Sequence, residues 1–343
     1  MTDAVLVLGA RGRFGLAACQ AFANAGWRVL AQVRPGTRLP LQLRSDARLH
    51  WIQADLMDAS GLARAAQGAS VIVHALNPLY THKAWKAQVP AMTRASIALA
   101  RALNATVMLP GNIYNFGVDM PAVLREDTPQ IATTVKGRIR IDMERTFQTS
   151  GVQTVVIRAG DFFGAGRGSW LDQAIVKDIA KGVLTYPGSL KVATAWAYLP
   201  DLARTFVAVA ARRQELDRFT VFHFKGYSVT GQEWLDASNL IAASQDWIMA
   251  GGTLKYKKLP WSMIRALSWL MPTWAALLEM RYLWETPHNL ANDRLVGFLG
   301  AEPHTPLDAA LLATMCDLGL VSREVTQGKL LRKPAPRGCR MNR

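Results

Sequence analysis

The sequence predicts an open, doubly wound parallel α/β sheet in its first half, followed by a smaller, mostly helical C-terminal unit. Three observations carry this expectation. Continuous apolar runs such as Ala4-Val5-Leu6-Val7-Leu8 recur along the first half, and a run without polar alternation fits a strand covered on both faces. Stretches with helical spacing alternate with those runs, which is the rhythm of β-α-β units. Half of the 343 residues are apolar and 19% are charged, a balance that supports a large core and excludes global disorder.

Element by element, Ala4–Leu8 is the first strand, and a glycine-punctuated turn leads into a helix over about 16–25 that Gly26 stops. Further strands are expected at 27–33, 49–54, 70–75, 106–109 and 154–158, with helices at about 59–66, 90–103 and 137–149 between them. After Gly160 the rhythm weakens. Gly164, Gly166 and Gly168 mark a loop, 201–211 reads as a helix and 219–224 as a late strand. Beyond Thr230 the pattern is helical, with a linker at Gly251-Gly252 and a tryptophan-rich stretch at 260–284. At roughly 150 residues per domain, the length accommodates two units. The expected division is 1–164 with 200–226 returning to it, then 165–199 with 227–328, and a basic tail at 329–343.

The turn Gly9-Ala-Arg-Gly-Arg-Phe-Gly15 lies directly between the first strand and the first helix. Its first glycine permits a tight turn, Gly12 lets backbone approach a pyrophosphate, and Gly15 allows close helix–sheet packing. A helix N-terminus then faces the phosphates with free N–H donors. In this strand–turn–helix context the motif predicts a dinucleotide site of Rossmann type. The second strand ends Ala31-Gln32-Val33-Arg34, where an NAD site would usually offer a carboxylate to the ribose. Arg34 suits the 2′-phosphate of NADP instead, and Arg11 and Arg13 add positive charge, so NADP is favoured over NAD.

The glycine turn, Ala54-Asp55-Leu56 and Val71-Ile-Val-His-Ala75 resemble an extended short-chain dehydrogenase/reductase of the NAD-dependent epimerase/dehydratase family. Ile157-Arg-Ala-Gly-Asp-Phe-Phe-Gly164 resembles that family's R-P-x-N-x-Y-G segment, and Ala197-Tyr-Leu-Pro-Asp-Leu-Ala203 its late V-x-D-x-A segment. The resemblance covers about 4–210. It implies that Asp55 hydrogen-bonds the adenine end of the cofactor, and that the segments from Ala165 and from Thr230 build a substrate domain.

The family's chemistry rests on a Ser or Thr, a Tyr and a Lys, and the lysine lowers the phenol's pKa. Here the serine position falls on Pro110 or Gly111, aligned on Tyr114 and Gly117. In Thr133-Thr-Val-Lys-Gly-Arg-Ile-Arg-Ile-Asp-Met-Glu144 the tyrosine position is Lys136 and the lysine position is Arg140. All three are substituted. Lys136 and Arg140, one helical turn apart, are expected to face the nicotinamide ribose together. Tyr114 and Tyr80 are alternative proton donors, with packed aromatics as the plainer reading of both. Asn77-Pro-x-Tyr80, Pro110-Gly-Asn-x-Tyr114, Lys136-Gly-Arg-x-Arg140 and Glu279-Met-Arg-Tyr-Leu-Trp-Glu-x-Pro287 also resemble a motif set of one bacterial branch of the superfamily.

Other chemistries find little footing. Cys19, Cys316 and Cys339 form no CxxC pair, so neither a disulfide framework nor a zinc site is expected. The histidines, His50, His74, His82, His223, His288 and His304, contain no HExxH, and no metal is expected. His74 reads as a wall residue at the end of a buried strand. The formal charge is +15, to which Lys329, Arg332, Lys333, Arg337, Arg340 and Arg343 contribute without an acid between them. Over the whole chain the basic residues are scattered rather than striped and no recognition motif appears, which argues against nucleic acid. The 260–284 stretch is read as packing on its own domain rather than on a membrane. No secretory leader is read at the N-terminus, and a cytoplasmic protein is expected, with a small-molecule substrate and room for a homodimer. Two functions stand at this point. One is an NADP(H)-dependent oxidoreductase or epimerase-like enzyme with an atypical proton donor; the other is a non-catalytic NADP(H)-binding redox sensor, which the substituted triad favours.

Overall fold

The computed structural model describes residues 3–39, 46–249 and 251–322. Its first half runs β1 (Ala4–Leu8), α1 (Arg13–Asn24), β2 (Arg28–Val33), β3 (Leu49–Gln53), α2 (Ala59–Ala65), β4 (Val71–His74), α3 (His82–Leu103), β5 (Thr106–Gly111), the short β6 (Val123–Leu124), α4 (Val135–Thr149) and β7 (Thr154–Arg158). Then come β8 (Asp161–Phe163), β9 (Val183–Tyr186), β10 (Ala193–Tyr198), α5 (Leu199–Ala211), β11 (Phe219–His223), β12 (Tyr227–Thr230) and α6 (Gly231–Ser244). The chain closes with β13 (Lys255–Lys258), α7 (Trp261–Leu267), α8 (Pro272–Leu278), β14 (Asn289–Leu290), α9 (Asp293–Leu299) and α10 (Leu307–Asp317).

The expected doubly wound sheet is present. Seven strands pair in the order β11-β7-β5-β4-β1-β2-β3, and every pairing is parallel. β1 lies inside the sheet, and its alternation places Val5 and Val7 against Phe14, Phe22 and Phe206 of α1 and α5. Leu6 and Leu8 face the opposite layer, with Trp85 and Val89 of α3 and Phe147 of α4. Burying each such large apolar side chain stabilises the fold by about 1.5–3 kcal/mol. The strand order reverses between β1 and β4, which opens a crevice at their carboxyl ends.

Two elements differ from the sequence expectation. α3 starts at His82, eight residues before Pro90, because Thr81 caps it by accepting from the Ala84 N–H at 3.2 Å. Pro90 costs one backbone hydrogen bond inside the helix, and burial of Trp85 and Val89 on the preceding turns outweighs it. The C-terminal half is helical as expected but also carries three small sheets, ordered β12-β10-β8, β13-β9 and β14-β6. Aromatic residues of the first two sheets share a second core with those of neighbouring helical segments, in which Trp196 of β10 meets Trp234 of α6 at 5.0 Å and Trp284 at 5.5 Å between ring centroids. α9 returns to the first core, where Phe298 stacks on Phe222 of β11 at 5.4 Å.

Beneath the crevice, Arg158 at the end of β7 is fully buried and pairs with Glu144 of α4. Its other amine lies 3.3 Å from His223 Nε2. Burial, and secondarily Arg158, hold the His223 pKa down at about 3, so the imidazole stays neutral beside the ion pair.

Candidate functional site: a glycine cradle and a buried cluster at its reactive end

The glycine turn is built as its spacing predicts. Gly9 sits at φ +73°, a left-handed conformation that costs other residues strain. A Cβ at Gly15 would stand 2.4 Å from the Gly9 carbonyl oxygen, so only glycine lets α1 pack this closely. Gln32 braces the turn from β2. Its side-chain oxygen accepts from the Gly9 N–H at 3.0 Å, and its amide donates to the Ala54 carbonyl at 2.7 Å. Gly12 caps α1 without any side-chain hydrogen bond, and the first turn contains no acid. The helix therefore presents free N–H donors and the positive end of its dipole at the crevice, which is a cradle for a pyrophosphate.

The four charged residues expected around it separate. Arg11 lies in the turn and Arg34 just past β2; both are exposed and neither side chain hydrogen-bonds or ion-pairs with a described residue. Asp55 is exposed after β3 and accepts from the Met57 N–H at 3.0 Å, which shapes the loop beside the cradle. Arg13 departs from its neighbours. It reaches across to the Gly164 carbonyl at 3.4 Å, and desolvation lowers its pKa while Asp172 and Asp161 oppose the shift. Standing at the first helical position of α1, it faces the loop after β8 rather than the end of β2.

At the other end of the crevice, Lys136 and Arg140 do share one face of α4, and that face packs on Trp85. The Lys136 ammonium is 5.8 Å and the Arg140 guanidinium 5.1 Å from the Trp85 ring. Lys136, expected to turn this face toward the nicotinamide ribose, is engaged by the protein itself. Its side chain is fully buried, lies 4.3 Å over the Tyr80 ring, and donates to the Ala276 carbonyl at 3.0 Å and to Glu279 at 3.4 Å. Glu279 also takes the Val135 N–H and stands 2.9 Å from His82 Nε2. Desolvation lowers the Lys136 pKa, with Glu279 opposing. Arg140 donates to Met143 Sδ at 3.5 Å and leaves its buried Nε without a partner.

Tyr80 and Tyr114 meet hydroxyl to hydroxyl at 3.4 Å. Burial pushes the Tyr114 phenol up to about 12 and Tyr80 well above its ordinary value. Both remain protonated donors at neutral pH. His74 is buried at the end of β4 with Nε2 unpartnered, and burial lowers its pKa to about 4.

The residue that sequence reasoning missed is Asp161. It opens β8, immediately past the carboxyl end of β7, and pairs in register with Trp196 of β10. Burial raises its pKa to about 7 while Arg13 opposes the shift, and its charge in turn raises the phenols of Tyr114 and Tyr80. A carboxyl that desolvation carries toward neutrality, just past the carboxyl end of β7, marks a candidate acid–base group. The signal was available, because Asp161 stands where the resembled R-P-x-N-x-Y-G segment carries asparagine.

Residues 9–170 match the model of a family described as NAD(P)H-binding. No curated protein matches the chain by sequence. Among solved structures, the UDP-glucuronic acid 4-epimerase from Bacillus cereus in complex with NAD superposes with a TM-score of 0.68 at 15% identity, over 94% of this chain and 99% of that one. The Bordetella bronchiseptica enzyme WbmH in complex with NAD+ gives 0.68 at 15% identity, covering 92% and 98%. The UDP-Glc/GlcNAc 4-epimerase of Campylobacter jejuni gives 0.68 at 13%, covering 92% and 98%. At these identities the likeness establishes the fold.

Proposed function

Given an NAD(P)H-binding domain on an epimerase-like fold, we propose that this protein is an NADP(H)-dependent oxidoreductase or epimerase-like enzyme acting on a small molecule. The observation that carries the reading is the cradle: an uncapped α1 above a Gln32-braced glycine turn, with Arg11 and Arg34 unpaired against described residues beside it. The nicotinamide, when bound, supplies hydride transfer. The chain's residues do the rest. Arg34, with Arg11, binds the 2′-phosphate, and Asp55 contacts the adenine end. Tyr114 and Tyr80 donate hydrogen bonds to a substrate oxygen, and the Asp161 carboxyl gives or takes the proton that balances the hydride. Lys136 acts through α8, as a positioning residue. Arg140 holds fixed positive charge behind the phenols and suits a developing oxyanion.

Titration of the protein with each cofactor tests the reading. NADP(H) is expected to bind at least tenfold more tightly than NAD(H), about 1.4 kcal/mol, with Arg34→Ala erasing most of the gap. Equal affinities in the unmutated protein would refute the preference. The substituted triad favours a second reading, a non-catalytic NADP(H)-binding redox sensor. A substrate-library screen following NADPH absorbance separates the two, since the sensor would bind NADPH and turn over no substrate.

A further inference from the structure

The tryptophan-rich stretch divides in the structure. Trp261 donates from its indole to the Pro187 carbonyl at 2.6 Å, and Trp284 is buried in the second core. The turn joining α7 and α8 does the opposite. Trp269 is 79% exposed, Leu270 56% and Met271 44%, and Met263 and Leu267 on α7 are exposed as well. Single exposed apolar residues are ordinary, but five gathered on one helix–turn–helix tip form a patch of the kind that marks a contact surface.

Along the chain the charge flanking this tip is of one sign, with Asp178 of a neighbouring segment as an acid within electrostatic reach of Lys257. From Trp247 to Leu278 the sequence holds no Asp or Glu, while Lys255, Lys257, Lys258 and Arg265 are all exposed. β13 passes through Leu259 and Pro260 directly into α7. Its lysines therefore precede the tip in the chain by one seven-residue helix, whose length is about 10 Å at 1.5 Å per residue. That length is enough to let the apolar tip seat at the depth of about 5–10 Å usual for interfacial helices while basic residues stay at the headgroups.

We propose that the α7–α8 tip docks on an anionic lipid surface, with Trp269, Leu270 and Met271 entering the headgroup layer and the four cations meeting lipid phosphates. The charge selects this occupant. A second copy of the chain paired through the same tip would bring the two sets of cations face to face, which opposes self-association. The contact is peripheral, because no helix among the described residues is long and apolar enough to cross a membrane. α8 leads from the tip to Ala276 and Glu279, the partners of Lys136, so the docked surface lies one short helix from the candidate site.

Co-sedimentation of the full chain with phosphatidylcholine vesicles, with and without phosphatidylserine, tests this. Binding is expected at least tenfold tighter with phosphatidylserine, and weaker as salt rises, since each cation near an anionic surface contributes about fivefold. The double change Trp269→Ser and Leu270→Ser should weaken binding at least tenfold, as should Lys255→Gln with Lys257→Gln and Lys258→Gln. Both variants should keep the parent's affinity for NADPH, which shows that they fold. Absence of binding to phosphatidylserine vesicles overturns the proposal. So does unchanged binding by the Trp269/Leu270 variant, which would move the contact elsewhere, the basic 329–343 segment retained in every variant included. A dimer that this variant dissolves, in a protein that ignores vesicles, would assign the tip to self-association and overturn it too.

Discussion

Replacing Lys136 by Met asks whether the ammonium serves the fold or a ligand. Methionine keeps an apolar stem against Tyr80 and Trp85 and removes only the charged end. What is lost is a charged hydrogen bond to the Ala276 carbonyl at 3.0 Å and an ion pair with Glu279 at 3.4 Å. Hydrogen bonds from charged donors contribute about 1.5–3 kcal/mol. Glu279 is not orphaned, because His82 and the Val135 N–H remain. The cost of about 3–5 kcal/mol for stranding a buried charge is therefore an upper bound. Removing the ammonium also relieves the desolvation that lowers its pKa, which leaves a net loss of about 2–3 kcal/mol. With 343 residues, an unfolding entropy of about 2.1 cal/mol/K per residue turns that into a Tm drop of about 3–4 °C. Scanning calorimetry reads it directly, and NADPH affinity should stay within about threefold because Lys136 does not face the crevice. An unchanged Tm together with a loss of about 10²–10³ in kcat/KM would refute the argument, since that is the signature of a missing oxyanion donor.

Gly12→Val should abolish binding of both cofactors while the protein stays folded: Gly12 sits at φ −66°, which any residue adopts, yet a Cβ there stands 3.2 Å from the Gly9 carbonyl and its methyls would crowd the α1 N-terminus. Unchanged affinity in isothermal titration would mean the turn does not hold phosphate. Asp161 should bend the pH profile of kcat/KM near 7. Reduction, which needs its proton, should fade above that pH, oxidation should fade below it, and Asp161→Asn should flatten both limbs. The same carboxyl bears on stability. Its pKa rises from 3.8 unfolded to about 7 folded, so the folded state keeps a proton that the unfolded state releases, and stability should fall between those pH values. Asp161→Asn should remove that slope from Tm measured against pH, and an identical slope in the variant would place the titration on another group.

The sheet was legible because its evidence is local. Every residue of β1 is buried and apolar, so an unbroken apolar run announces the strand without knowledge of its neighbours. The glycine turn was legible for the same reason, since Gly9, Gly12 and Gly15 act within one loop. Pro90 misled because a proline usually opens a helix, whereas Thr81 had already capped this one. Side-chain direction was hidden. Arg11 and Arg13 read alike as cations two residues apart, yet only Arg13 stands on α1 and swings to Gly164. Likewise Lys136 and Glu279 were both noticed within the same motif set, but no spacing rule reveals a contact spanning 143 residues. Asp161 lay in plain view, and only its burial makes it more than a surface acid.

The reach of Glu279 has a bearing on how the molecule comes into being on a ribosome. Its carboxylate bridges back over 197 residues to His82 and over 143 to Lys136. Six of the seven strands of the main sheet are complete once residue 158 has been made, whereas α5, whose Phe206 packs on Phe14 of α1, follows only by residue 211. At translation speeds of about 5–20 residues per second, the ammonium then waits about 7–30 s for its anion. During that interval α4 carries a cation without the carboxylate that receives it, set against the rings of Tyr80 and Trp85. The wall that Glu279 ties to Lys136 is thus laid down late, against a sheet and a glycine turn made long before it.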